Sequence, residues 1–581
     1  MKFIIYCLLS VLCACHSSEE KILQPLNVST HFEVSNGTET GTYYDVIKFY
    51  SNLAATYPSI AMDSIGNTDA GKPLHFITYN PDAEFNFEQL AKHKAIVLIN
   101  NGIHPGESDG IDATMLLFRD LAQGKLETLK NTVLVTIPIY NVGGSLNRNT
   151  ATRTNQNGPK EYGFRGNARN YDLNRDFIKS DTKNARAFAA LFHKVQPDIF
   201  VDNHVSNGAD YQYTLTHLFT QHNKLGGELG AYLHEKMMPD LELNLANKNW
   251  DITPYVNVFN TVPDNGFSQF LDAPRYSTGY TTLFNTLGIM VETHMLKPYK
   301  QRVKGTYELM KTLIGITETD YALIKEVRNN NIKQFKRDTT YKFNWVVDTT
   351  KHSVLNFKGY EGEIITSEVT NLKRLKYDRD KPFTKAIIYN NYFKATQKVT
   401  IPEYYVIPQG WHNVLSLLQL NNIKTEPLAK DSIIEVERYK IEDFKTRRQP
   451  YEGHYSHYDT TVVTDTLEIA FRAGDILVNT NQDGLRYVLE TLEPSAIDSF
   501  FNWNFFDTIL QQKEGFSPYV WEDKALALLE TNPELKTAFE KRKTENKAFR
   551  ENWYSQLDWL HKRSVNYEKA HLHYPIYRIT E

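Results

Sequence analysis

Residues 101–107, Asn-Gly-Ile-His-Pro-Gly-Glu, set an imidazole, His104, and a carboxylate, Glu107, three residues apart across a Pro-Gly turn that follows the apolar run 95–99. Two such groups on one short turn can face one ion. The spacing alone is cheap, since His16 and Glu19 share it in a polar N-terminal stretch. A second imidazole, His204, follows the apolar run 199–201 and leads into Ser206, Asn207 and Gly208. Loops at the carboxyl ends of strands in an open α/β sheet converge on one crevice, so His204 can meet His104 and Glu107 in space. Two imidazoles and one carboxylate make a catalytic Zn²⁺ set, because three protein ligands leave a fourth position for water. All three cysteines, Cys7, Cys13 and Cys15, lie in the first fifteen residues, so a metal held further along must use His, Asp or Glu.

A third apolar run, 287–291, delivers Glu292 to the same edge, where an acid needs a partner or a proton to handle. Between the two metal segments, Asp172-Leu173-Asn174-Arg175 supplies an amide and a guanidinium side by side, an arrangement suited to clamping a carboxylate. Other candidates receive plainer readings. His454 and His457 are expected in an exposed aromatic loop rather than a second metal site, and His294 beside the ligands or in the substrate pocket. Arg275 is either a surface loop charge or a selector of acidic side chains.

The elements that must position these residues follow from periodicity. Apolar runs at 95–99, 133–140, 199–201 and 287–291 predict strands, and three- and four-residue spacings predict helices near 42–57, 111–121, 182–195 and 225–237. The alternation predicts an α/β fold with a mixed, mostly parallel sheet covered by helices on both faces. After about residue 337 the chain turns rich in Thr, Val, Tyr and Phe, predicting a mixed, β-biased C-terminal region that ends in helices over 524–560. The charge run 536–550 reads as a solvated helix face.

A net charge of −4 implies no global attraction to nucleic acid. No phosphate-binding glycine loop and no GxSxG elbow occur, which removes the usual sequence support for phosphoryl transfer and serine hydrolysis. Lys2, the apolar stretch 3–12 and then Leu12-Cys13-Ala14-Cys15 have the layout of an export signal and resemble the bacterial lipoprotein box. The expectation is a chain anchored to a membrane through a lipid on Cys15, which becomes the first residue of the mature protein, with 1–15 the lipoprotein signal segment and 16–40 a flexible tether.

In order along the chain, His104 with Glu107, Asp172 with Asn174-Arg175, His204 and Glu292 resemble the motif set of the zinc metallocarboxypeptidases related to carboxypeptidase A. The likeness extends to 44–58 and to the Gly-containing turn 65–74, and spans 41–335, leaving 336–581 without an assigned role. It implies that His104, Glu107 and His204 bind one Zn²⁺, that Glu292 is the general base, and that Asp172 orients the ring of His104. Asn174 and Arg175 would hold the free C-terminal carboxylate of a peptide. Arg153 would polarise the scissile carbonyl, with Arg165 and Arg148 as alternatives, and Tyr280 or Tyr276 would be the family's substrate-contacting tyrosine. The implied activity is zinc-dependent removal of C-terminal residues from peptides. A zinc amidase or D,L-peptidase acting on cell-wall peptides, and a non-catalytic peptide- or glycan-binding lipoprotein, are the competing readings.

Overall fold

The apolar runs form strands because both faces of their sheet are covered. The computed structural model describes residues 28–580. In chain order the strands up to the site are β1 (Ile60–Asn67), β2 (Pro73–Tyr79), β3 (Ala95–Asn100), β4 (Thr132–Ile137), β5 (Ile199–Ser206), β6 (Leu215–Phe219), β7 (Ile252–Pro254), β8 (Phe267–Ser268) and β9 (Leu287–His294). All except β8 join one eight-stranded sheet in the order β1-β2-β4-β3-β5-β9-β6-β7. Its four central strands, β4, β3, β5 and β9, are mutually parallel, with antiparallel pairings at β2–β4 and β9–β6.

Successive residues of β3 point to opposite faces, as the two-residue strand period requires. Ile96 and Leu98 pack with Phe188, Leu191 and Phe192 of helix Lys183–Val195. Val97 and Ile99 belong to the core that includes Ile111 and Phe118 of helix Asp109–Ala122 and Val303 and Met310 of helix Tyr299–Lys333. Each such side chain, fully buried, contributes about 1.5–3 kcal/mol, so the central strands are rigid supports for the loops that leave them.

The signal segment, Cys15 and residues 16–27 lie outside the described residues. The remainder of the expected tether is not free. Thr30 and Glu33 form a reciprocal capping box on helix His31–Val34, Arg119 pairs with Glu33 at 2.6 Å, and Phe32 packs edge-on to Tyr299. A buried aromatic and a satisfied helix start outweigh the entropy of a loose polar segment.

Beyond residue 335 a long hairpin, Ser353–Thr366 with Lys373–Asn390, pairs with β8, and a six-stranded sheet includes Ser432–Thr446 and His457–Phe471. Helices Pro518–Thr531, Pro533–Glu545 and Trp553–His561 follow, and the strand His573–Ile579 then returns to that sheet, its alternate residues Tyr574, Ile576 and Arg578 buried. Tyr341, Tyr405, Tyr487 and Trp503 share one core cluster with Leu191, Phe192 and Tyr280, so the C-terminal region is packed onto the α/β sheet unit. Among the described residues no helix is long and apolar enough to cross a membrane.

Candidate active site

Strands β3, β5 and β9 are adjacent and parallel, so their carboxyl ends open at one rim, and His204 sits directly opposite Glu292 in register. The turn after β3 carries His104 and Glu107 to the same place. His104 Nδ1 lies 3.2 Å from Glu107 Oε1 and His204 Nδ1 lies 3.1 Å from Glu107 Oε2. Ligand atoms around a tetrahedral zinc ion, each 2.0–2.1 Å from the metal, are roughly 3.3 Å apart. His104 Nδ1 is buried without a hydrogen-bond partner. These three residues are the one metal-competent cluster among the described residues, and their donor set and spacing fit zinc.

Each imidazole has a carboxylate on its far nitrogen. Asp172 Oδ1 is 2.9 Å from His104 Nε2, and Asp202 Oδ2 is 3.0 Å from His204 Nε2. Asp202 is itself fixed, accepting from Asn100 Nδ2 at 3.0 Å and Ser277 Oγ at 2.5 Å. The Asp172 hydrogen bond sets the tautomer and aim of the His104 ring, while Asp202 places a negative charge beside His204. Burial alone would raise the pKa of Glu107, but His104 and Arg153 outweigh it and hold this carboxyl well below the usual range. Asp172 follows the same pattern: burial opposes ionisation, and His104, Arg165 and Arg175 prevail. Glu292 goes the other way. Burial, with Glu107 and Asp202 nearby, pushes it up to about 8 against the pull of His204 and Arg165, the behaviour of an acid placed to exchange protons.

His104, Glu107, His204 and Glu292 line one cavity of about 630 Å³ together with Arg153, Arg165, Asn174, Arg175, Tyr255, Phe270, Tyr276 and Met290. Arg153 Nη1 reaches Glu107 Oε1 at 2.8 Å, and Arg165 donates to Asp172 Oδ2 through Nε and Nη2 at 3.0 and 2.9 Å. Arg148 instead bonds the backbone carbonyls of Gly41 and Glu161, away from the cavity. Asn174 Oδ1 accepts from the Ser277 N–H at 3.1 Å, which leaves its NH₂ group as a donor for a ligand.

Several expectations are corrected. Tyr280 does not reach the cavity: it is fully buried, and its hydroxyl donates to Asn421 Oδ1 at 2.5 Å. Tyr276, one helical turn earlier, lines the cavity and lies under Arg175, whose guanidinium carbon is 4.5 Å from the ring centroid. His294 is buried away from the cavity, stacked on Tyr211 and 3.1 Å from Asp210. Arg275 is not a surface charge and does not line the active-site cavity: it pairs with buried Asp498 at 2.8 Å. His454 stays in a turn beside exposed Tyr455 but is bound to Asp181 at 2.7 Å, whereas His457 is buried at the start of a strand and contacts Thr446 at 2.9 Å; neither belongs to a metal-competent cluster among the described residues. Sequence reasoning missed Asp202, Tyr255 and Met290. For Asp202 a signal existed, since it lies two residues before His204 and therefore shares its face of β5.

Two imidazoles and a carboxylate facing one point, with an acid and three guanidinium groups around the same cavity, define the site of a metal-dependent hydrolase. Part of the chain matches the zinc carboxypeptidase family. The match spans residues 46–200, which include His104, Glu107, Asp172, Asn174 and Arg175 and end just before His204. Similar proteins include carboxypeptidase 2 of Trichophyton rubrum, 24% identical over 516 residues covering 84% of this chain and 87% of that protein. Carboxypeptidase 2 of Trichophyton equinum is 24% identical over 451 residues, covering 73% and 76%. Among solved structures, a metallo-carboxypeptidase from Burkholderia cenocepacia aligns with a TM-score of 0.35 and 16% identity, covering 47% of this chain and 68% of that one.

Proposed function

We propose that this metallopeptidase hydrolyses the last peptide bond of peptides with a free C-terminus, with His104, Glu107 and His204 as the Zn²⁺ ligands and Glu292 as the general base. The observation that carries the reading is the cavity itself, in which the three-ligand cluster, Glu292 and the Asn174-Arg175 pair share one wall-to-wall space. Bound zinc would supply Lewis acidity and lower the pKa of water towards about 7. Glu292 accepts a proton from the attacking water and later delivers one to the leaving amine. Arg153 stabilises the developing oxyanion, a contribution of about 3–4 kcal/mol for a preorganised donor, and Arg165 is the second guanidinium within reach. Tyr276 lies against the Arg175 guanidinium, and Arg175 with Asn174 grips the terminal carboxylate, fixing cleavage one residue from the end.

The test is incubation of a soluble chain beginning after Cys15 with a peptide library bearing free or amidated C-termini, with and without a chelator. Cleavage confined to free acids and lost on chelation is expected; equal cleavage of both sets overturns the exopeptidase reading. Arg175→Ala is expected to raise KM for free-acid peptides about 10- to 100-fold with a smaller change in kcat, since a hydrogen bond to a charged group is worth about 1.5–3 kcal/mol. Steady-state kinetics check it, and a loss confined to kcat would assign Arg175 elsewhere.

Residues 12–15 support a further proposal, export and lipid attachment at Cys15, with Glu19 and Glu20 just beyond it. Cys15→Ala is expected to move the protein from the membrane fraction to the soluble one. Unchanged membrane association would remove the anchor.

A further inference from the structure

We propose that the C-terminal region is a positioning element of the active site: Asp498, acting through Arg275 and Tyr276, sets the orientation of Arg175. The inference rests on the role given to Arg175 above. Asp498 is completely buried, and neither Arg275 nor Trp503, which hold it, lines the active-site cavity. Its Oδ2 accepts from both the backbone N–H of Arg275 at 2.9 Å and the side-chain Nε at 3.2 Å, while Oδ1 faces Arg275 Nη2 at 2.8 Å. Trp503 Nε1 donates to Oδ1 at 3.1 Å, holding the carboxylate in turn. The guanidinium of Arg275 also lies 5.3 Å from the Trp503 ring and 5.9 Å from that of Tyr451. Backbone and side chain of one residue are thus pinned by one carboxylate from the other end of the chain.

The next residue is Tyr276, and its ring carries the Arg175 guanidinium. Arg175 has little else to orient it: one bond to the Asn174 carbonyl at 2.8 Å and an ion pair with Asp172 stretched to 3.9 Å. The opposite side of the same loop is held by the same region, since Glu452 Oε2 accepts the Asp172 N–H at 2.9 Å. A desolvated ion pair adds little net stability relative to apolar packing, but it fixes geometry. Fixed geometry is what a two-point grip on a carboxylate needs, because a rotated guanidinium offers one N–H where two are required.

The experiment compares the full-length protein with Asp498→Asn and Arg275→Lys, reading kcat, KM for a free-acid peptide, and zinc content. Asp498→Asn is expected to raise KM about tenfold with kcat within about twofold and zinc unchanged, the signature of weakened carboxylate binding rather than lost active sites. Arg275→Lys keeps the charge opposite Asp498 but loses the fork, and is expected to raise KM about threefold; it decides the matter if Asp498→Asn no longer melts cooperatively. An unchanged KM, or a fall confined to kcat, overturns the proposal, because misfolding removes active enzyme without altering the affinity of what remains. Failure of the carboxypeptidase reading is distinguishable: the wild-type protein would then cleave amidated peptides as readily as free acids before either variant is compared.

Discussion

Glu292→Gln is expected to lower peptide hydrolysis on the order of 10³-fold or more while the protein still binds one zinc ion. General acid–base groups typically contribute 10²- to 10⁴-fold, and here one carboxyl is asked to serve both proton transfers. Glutamine keeps the size and removes the titration, so the three-ligand cluster on β5 and the turn after β3 is left intact. A stability measurement separates this role from a structural one. In the metal-free chain the pKa of Glu292 stands at about 8 against an ordinary 4.5, raised by burial and by Glu107 and Asp202. An acid raised in the folded state holds its proton there more tightly than in the unfolded state, so it destabilises the fold progressively as pH rises from the lower value to the upper. The Gln variant lacks that loss. Metal-free Glu292→Gln is therefore expected to melt at or above the metal-free wild type at pH 8 and higher. Loss of zinc, or a lower melting temperature at high pH, would make Glu292 a ligand or a packing residue.

Legibility in the sequence followed the range of the interactions. The four apolar runs and the residues at their ends were readable because strand burial is recorded locally, and the order of β3, β5 and β9 brings those ends together. The outer strands were not readable: β1 and β2 were subsumed in a turn, and β6 and β7 are held by partners far along the chain. Tyr276 and Tyr280 show the limit at the site. Tyr276 caps helix Ser277–Thr282 and stays at the rim, whereas Tyr280 within it turns into the core, and spacing from Glu292 does not encode that rotation. The Asp498 contact spans 223 residues and the Glu452 contact spans 280, so neither leaves a local pattern. Thr30-x-x-Glu33 did carry a helix-start signature, and the polar composition around it concealed the packing.

Chelation is expected to abolish hydrolysis and to leave the chain folded, with activity returning in proportion to added Zn²⁺ up to one equivalent. The loss of activity follows from the donor set; the survival of the fold follows from what surrounds Glu107. Its carboxylate already meets His104 at 3.2 Å, His204 at 3.1 Å, Arg153 at 2.8 Å and the Val205 N–H at 2.9 Å. Emptying the site therefore leaves no bare buried charge, which is what makes removal of a structural ion destructive. Binding contributes stability only by mass action, about 2.7 kcal/mol at a hundredfold excess over Kd. For a chain of this size that is a shift of a few degrees at most. Asp202→Asn sharpens the test, because it removes the charge behind His204 without touching a ligand. A 10- to 100-fold weaker zinc affinity is expected, read by competition with a chromophoric chelator. If metal-free protein lost its cooperative melting transition, the ion would be part of the fold; if chelated protein kept full activity, the cluster at His104, Glu107 and His204 would have no part in the chemistry.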